Sequence, residues 1–136
     1  MNIEKYLLKE AKKAYKKDEV PVGCVITKNN KIISKAHNTK QKSNCCINHA
    51  EIIAITKAEK KLKDWRLDDC KLYVTLEPCK MCKEVIKQAR IKEVYYILNS
   101  NFTNEDSKNI EYFSIFENEI QKEYEQLLKS FFKLKR

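Results

Sequence analysis

Two short stretches of the sequence carry side chains that bind metal ions and transfer protons. His49 and Glu51 lie in "NHAEIIAI", at the start of an apolar helical run, and Cys79 and Cys82 lie in "PCKMC". Residues three apart share a helix face, so the two cysteines can bind one ion. Two thiolates and a neutral imidazole are good zinc ligands, and they leave the fourth tetrahedral position for water. The spacing therefore predicts one zinc ion held by His49, Cys79 and Cys82.

Glu51 has the chemistry of a proton shuttle at such a site. It lies two residues after His49, roughly 200° around an ideal helix, so the two residues do not share a face. Side chains in a first turn nevertheless lean back toward the N-terminus, and both can approach a ligand beyond the helix end. We expect Glu51 to stand beside the metal and to move protons without binding the ion.

Other interpretations of these residues remain open at this point. A C-x-x-C pair is also typical of redox motifs and of buried core cysteines. Cys46 and His49 have the spacing C-x-x-H, and with Cys79 and Cys82 they would form a closed structural Cys₃His zinc site. A closed site would leave Glu51 without a chemical role.

Composition sets the class of protein. The 136 residues suit a single domain spanning 1–136, and 43% hydrophobic residues favour a folded chain. Lys+Arg number 28 against Asp+Glu 19, a formal net charge of +9. This excess favours nucleic acid as a partner. A bias toward Lys, Asn and Ile that reflects genome composition would also produce it. No apolar run approaches the ~20 residues that cross a bilayer. Cysteines without a secretory signal favour the cytoplasm, where thiols more often bind metal than form disulfides.

Strands and helices alternate after an opening amphipathic helix that is expected to end near Asp18. "VPVGCVIT" and "KIISKAH" flank the polar turn "KNN" and predict an antiparallel hairpin. Helices are expected near 49–62 and 79–89, strands at "CKLYVTL" and "EVYYIL", and two helices at the end of the chain. This order predicts an α/β fold, a three-layer α/β/α domain with a mixed central sheet covered by helices on both faces.

Several segments together resemble one family. "HAE" followed by "PCKMC" is the signature of zinc deaminases. "DEVPVGCVI", "AHN", "DWRLDDCKLYVTLEPCKMC", "ARIKEVYY" and "LLKSFFKLKR" are similar, in the same order, to bacterial tRNA-specific adenosine deaminases of the TadA type. These belong to the cytidine/deoxycytidylate deaminase superfamily. The resemblance implies a cytidine-deaminase-like fold, a homodimer, one zinc ion per chain and conversion of the wobble adenosine of a tRNA anticodon arm to inosine.

The resemblance also assigns residues. His49, Cys79 and Cys82 match the family's zinc ligands, and Glu51 matches its proton shuttle. Asn38 matches an asparagine that contacts the flipped nucleotide, although its spacing alone would favour a turn residue.

The C-terminal tail combines aromatic and basic residues. Phe131 and Phe132 are adjacent, so they point about 100° apart on a helix, and only one of them can continue its buried face. The other is expected to be exposed beside Lys133, Lys135 and Arg136. An exposed aromatic ring next to positive charge can stack on an unpaired base while the charges bind phosphates. We therefore expect Phe131, Phe132, Lys133 and Arg136 to contribute to RNA binding.

The sequence departs from the family after the "EVYYI" strand. Related tRNA enzymes have an acidic residue and a Gly-rich, Lys-containing loop there, whereas this chain reads "LNSNFTNEDSKN", with Ser100 at the acidic position. Deaminase chemistry does not depend on that loop, but RNA preference does. A deaminase of a free nucleobase or nucleotide is therefore an alternative, and a non-enzymatic RNA-binding module with a structural zinc is another.

Overall fold

A computed structural model of the chain describes residues 2–100, 110–114 and 116–134. The helices and strands of these residues follow one another as α1 (Ile3–Lys16), β1 (Gly23–Lys28), β2 (Lys31–His37), α2 (Lys40–Ser43), α3 (Ala50–Leu62), β3 (Cys70–Leu76), α4 (Lys80–Gln88), β4 (Glu93–Leu98), β5 (Glu111–Phe113) and α5 (Asn118–Leu134). The strands form one sheet in the order β2-β1-β3-β4-β5. No helix in the described ranges combines the length and apolarity that a membrane crossing requires.

The sheet is mixed and is covered on both faces. β1 runs antiparallel to β2 and β3, whereas β3, β4 and β5 run parallel to one another. Alternate strand residues point to opposite faces. Leu72 and Val74 belong to the core under α3 and α4, and Val25 and Ile97 belong to the core under α1 and α5. The predicted three-layer α/β/α fold is confirmed.

The hairpin turn depends on two asparagines. Asn29 and Asn30 have φ values of 52° and 61°, in the left-handed region. A two-residue turn with both residues in that region matches the right-handed twist of the flanking strands, and asparagine tolerates this backbone better than most residues. The turn pairs Lys28 with Lys31 and so sets the register of β1 and β2, as the "KNN" pattern predicts.

The single glycine of the chain lies where β1 passes close to α1. A Cβ atom at Gly23 would lie 2.5 Å from the carbonyl oxygen of Leu7 and 2.9 Å from the amide nitrogen of Ala11. Only a residue without a side chain permits this approach. The amide of Gly23 donates to Oγ1 of Thr75 at 3.1 Å, which links the start of β1 to the end of β3.

Two parts of the fold differ from the prediction. The chain was expected to finish with two helices; α5 is the last of them, and the edge strand β5 at Glu111–Phe113, which was not expected, precedes it among the described residues. The short helix α2 was not expected. Residues 101–109, most of the segment that departs from the family, lie outside the described residues.

Candidate metal and catalytic centre

His49 and Cys79 occupy equivalent positions at the starts of two helices. Each is the N-cap residue of its helix, α3 or α4, with an extended backbone, and neither side chain caps the helix by a hydrogen bond. N-cap side chains usually accept a hydrogen bond from the first turn. Here Oδ1 of Asn38 accepts instead from the amide of Ala50, at 2.7 Å. The imidazole and the thiol are therefore available to a ligand beyond the two helix ends.

The three predicted zinc ligands come together. Nδ1 of His49 lies 3.7 Å from Sγ of Cys79 and 3.5 Å from Sγ of Cys82. Zinc bonds of about 2.3 Å to sulfur and about 2.0 Å to nitrogen, at a tetrahedral angle, would separate these atoms by about 3.5 Å. All three donor atoms lie within 4.8 Å of one another. The arrangement fits one zinc ion, with Nδ1 of His49 as the nitrogen ligand.

Hydrogen bonding between the two thiols prepares them for metal binding. The pKa of Cys79 is lowered to about 5, chiefly because the thiol of Cys82 donates a hydrogen bond to its thiolate. The same hydrogen bond, together with burial, raises the pKa of Cys82. One proton therefore remains on the pair near neutral pH, and a metal ion that binds both sulfurs releases it.

Glu51 is a buried carboxyl group in the first turn of α3. Its side chain is 4% exposed. Burial penalises the charged form and raises its pKa to about 7, and the negative charge of Cys79 acts in the same direction. A carboxyl group with a pKa near the working pH can both accept and donate a proton.

A cavity of about 490 Å³ opens onto these residues. Its size falls within the range of about 300–1,000 Å³ that is typical of small-molecule sites. Its wall contains both polar and apolar side chains: Asp18, Glu19, Val20, Val22, Asn38, Lys40, Gln41, His49, Glu51, Leu76, Glu77, Cys79, Ser100 and Phe131. The cavity therefore brings two residues of the metal-binding set and a proton carrier together with apolar side chains such as Val22 and Phe131.

Glu19 and Glu77 are cavity residues that the motif analysis did not single out. Both are buried, at 2% and 6% exposure. The carboxylate of Glu19 accepts hydrogen bonds from the amides of Gln41 and Lys42, at 3.0 and 2.8 Å, and thereby holds α2 beside the cavity. Both acids lie in segments that carry the family resemblance, "DEVPVG" and "TLEPC". Their place in these segments is the sequence feature that could have identified them as cavity residues.

The two phenylalanines of the tail differ in burial, as predicted. Phe131 is 7% exposed and lines the cavity, whereas Phe132 is 44% exposed. Their rings meet edge to face at 5.4 Å. Lys133 is exposed and shares a shallow surface groove with Phe132. Arg136 lies outside the described residues.

Cys46 does not join the metal-binding group. Among the described residues, only His49, Cys79 and Cys82 lie close enough together to bind one ion, and Cys46 is exposed on the loop before α3. It does not line the cavity either. The geometry therefore favours an open three-ligand site over a closed Cys₃His site.

The sequence profile described as "Cytidine and deoxycytidylate deaminase zinc-binding region" matches residues 2–98. The chain therefore belongs to that family. The zinc-binding region of the family and the His/Cys/Cys cluster of this chain indicate the same cofactor, one zinc ion per chain.

The chain is also similar to individual members of this family. The chain is 48% identical over 101 residues to a tRNA-specific adenosine deaminase of Streptococcus pyogenes serotype M18 (strain MGAS8232). That match spans 74% of this chain and 64% of the relative's own length. A structure from a study of A-to-I editing by tRNA:A34 deaminases at the wobble position is 40% identical, with a TM-score of 0.69, over 71% of this chain and 74% of that one.

A guanine deaminase from Bacillus subtilis is also similar in structure. It is 30% identical, with a TM-score of 0.68, and the match covers 93% of both chains. The fold alone therefore does not separate a tRNA substrate from a free base.

Proposed function

We propose that the protein is a zinc-dependent deaminase that hydrolyses the wobble adenosine of a tRNA anticodon to inosine, releasing ammonia. The observation that carries this proposal is the buried carboxyl group of Glu51 beside the His/Cys/Cys cluster, in a cavity of about 490 Å³. A structural zinc site needs neither the carboxyl group nor the cavity. Adenosine is favoured over other bases because relatives such as the streptococcal protein are named tRNA-specific adenosine deaminases.

The three cluster residues and Glu51 have different roles in this reaction. His49, Cys79 and Cys82 hold the metal. Zinc, when bound, supplies Lewis acidity, which makes water a nucleophile at neutral pH. Glu51 takes a proton from the attacking water and delivers it to the ring nitrogen beside the amino-bearing carbon. It then takes the second proton of that water, from the hydroxyl group now bonded to the carbon, and passes it to the amino group. The C–N bond breaks, ammonia leaves and the carbonyl group of inosine forms.

Asn38 is placed to orient the nucleotide. Its Oδ1 is bound to the amide of Ala50, so its amide orientation is fixed, and the residue lines the cavity. We assign Nδ2 as a hydrogen-bond donor to an acceptor on the substrate. A substrate contact that is preorganised in this way costs little conformational entropy on binding.

RNA binding requires contacts beyond the cavity, because the anticodon loop is larger than one base. The charge of +9 supplies an electrostatic contribution, and Lys40 lies in the cavity wall. In the tail, Phe132 and Lys133 present an aromatic ring and a charge at the surface, and Arg136 follows in the sequence. We propose that Phe132 stacks on a base flanking the target, while Phe131 closes the cavity wall and Lys133 and Arg136 contact phosphates.

Replacing Phe132 by alanine is expected to weaken binding of an anticodon stem-loop by about five- to 150-fold, because base–aromatic stacking contributes ~1–3 kcal/mol. Replacing Lys133 by glutamine should instead flatten the salt dependence of binding, since fewer counterions are released. Stem-loop affinity measured across a salt series separates the two effects. Deleting the whole tail would be less informative, because Phe131 is buried in the cavity wall.

The matched control for this experiment is Trp65→Ala. Trp65 is 52% exposed and lies beyond the C-terminal end of α3, whereas the cluster lies at its N-terminal end. Its loss should leave stem-loop affinity unchanged. Normal affinity and a normal salt slope in stably folded Phe132 and Lys133 variants would remove the tail from the RNA-binding surface.

The proposed function is tested by incubating the zinc-loaded protein with an adenosine-wobble anticodon stem-loop and measuring inosine. Parallel reactions contain free adenine, guanine, cytosine and cytidine. We expect inosine from the stem-loop and no product from the free bases. The similarity to a guanine deaminase favours the alternative of a free-base deaminase. Ammonia released from a free base, with no inosine in RNA, would assign the protein to that class instead.

A cytoplasmic location follows from this proposal, since the substrate is a tRNA. The resemblance further implies a homodimer, which stays a prediction. Light scattering of the zinc-loaded protein measures it directly, and a mass of one chain would contradict it.

A further inference from the structure

Glu77 is a buried carboxylate that the proposed reaction does not use. It is 6% exposed, lines the cavity and lies two residues before Cys79. It is not a member of the metal-binding group. A buried carboxylate is costly unless its oxygens are paired, so its contacts indicate its role.

The two carboxylate oxygens of Glu77 bind two different parts of the fold. Oε2 lies 3.0 Å from Nζ of Lys83 in α4, the residue that follows Cys82. Oε1 accepts a hydrogen bond from the amide of Ser100, at 3.2 Å, and lies 3.4 Å from Oγ of the same residue. The amide of Glu77 also donates to the carbonyl oxygen of Leu98, at 2.9 Å. One side chain thus joins the helix of a zinc ligand to the residues that follow β4.

This connection crosses the wall of the cavity. Ser100 and Cys79 both line it, as does Glu77. Nζ of Lys83 lies 5.2 Å from the centre of the Tyr112 ring, which extends the contacts to the edge strand β5. The side chain of Lys83 is 15% exposed, so solvent screens the ion pair only weakly. A shift of Ser100 relative to Cys79 would change the width of the cavity at this point.

We propose that Glu77 is a positioning residue for the substrate. Through Lys83 and Ser100 it fixes the cavity wall relative to the cysteine-bearing turn, and so keeps the cavity at the width that binds the nucleotide. This inference rests on the proposed function. The carboxylate is needed because both oxygens accept hydrogen bonds, whereas a glutamine would turn a second donor toward the ammonium group of Lys83.

The decisive variant is Glu77→Gln in the full, zinc-loaded chain. We expect KM for the stem-loop to rise at least about tenfold, with a smaller change in kcat and with one zinc ion retained, because no ligand or proton carrier is altered. Glu77→Asp keeps the charge and should recover part of the loss. The double variant Glu77→Gln/Lys83→Met removes both partners of the ion pair. Its KM should stay raised, since the connection to α4 is still broken.

Glu10→Gln is the matched control. Glu10 is another buried carboxylate, 4% exposed and 2.8 Å from Nζ of Lys13, but it does not line the cavity. Its replacement should lower the thermal midpoint without raising KM. A normal KM in Glu77→Gln, or a normal KM in the double variant, would reduce Glu77 to a structural role and overturn the proposal.

A second measurement is independent of catalysis. The amide of Ser100 donates to Oε1 of Glu77, so Glu77→Ala should speed its hydrogen exchange, whereas Glu10→Gln should not. If the wild-type protein deaminates no stem-loop, the proposed function fails, and the exchange rate still reports whether Glu77 holds this wall. Unchanged exchange at Ser100 would show that it does not.

Discussion

Replacing Cys79 or Cys82 by serine is expected to leave the protein without its zinc ion and without detectable deaminase activity. The site has three protein donors within 4.8 Å, and either substitution removes one of its two thiolates. A neutral hydroxyl group is a poor substitute, because two negative sulfurs balance the charge of Zn²⁺. Metal content after dialysis, measured by atomic spectroscopy beside the inosine assay, should fall from one ion per chain toward zero.

Cys46→Ser is the matched control for this experiment. Cys46 is an exposed thiol three residues before His49, outside the metal-binding group. Its zinc content should remain near one per chain, with normal activity. A Cys46 variant that loses its zinc would instead support the closed Cys₃His site and weaken the case for an enzyme.

The sequence predicted the elements whose signals are local. "CKLYVTL" and "EVYYIL" form β3 and β4 within the expected residues, because short apolar runs rich in β-branched and aromatic side chains favour buried strands. The hairpin followed from its turn chemistry, since Asn29 and Asn30 both adopt the left-handed conformation that the turn requires.

Elements that depend on distant contacts could not be predicted in the same way. The four-residue helix α2 is held by Glu19, whose carboxylate accepts from two amides more than 20 residues later in the chain. β5 has three residues and is fixed by pairing with β4, so "EYF" alone gives no reliable pattern. The strand at residues 111–113 was missed for this reason.

In the candidate site, too, local sequence predicted some features, while others depend on contacts between distant residues. Motif spacing identified His49, Cys79 and Cys82, because residue type and helix geometry are both local properties. It could not show that Nδ1 rather than Nε2 of His49 faces the sulfurs. Nor could it show that Asn38 caps α3, since that contact spans 12 residues and two elements.

The second large effect is expected from replacing Glu51. In Glu51→Gln the side chain keeps its size and much of its hydrogen bonding, but it can no longer accept and return a proton. General acid–base catalysis contributes about 10²–10⁴-fold, so turnover of the stem-loop should fall at least about 100-fold. The loss should lie in kcat rather than KM, because the proton transfers occur only in the reaction itself.

Measuring the zinc content and the fold of the Glu51→Gln variant distinguishes a loss of proton transfer from damage to the metal site. Glu51 is not one of the three donors, so the variant should retain one zinc ion. Burial disfavours the charged form of the Glu51 carboxyl group and raises its pKa, so a neutral glutamine of the same size should be tolerated in the core. Glu59→Gln, on the same helix but outside the cavity, is the matched control and should keep normal turnover. Near-normal kcat in the zinc-loaded Glu51→Gln protein would remove Glu51 from the mechanism and require another proton carrier in the cavity.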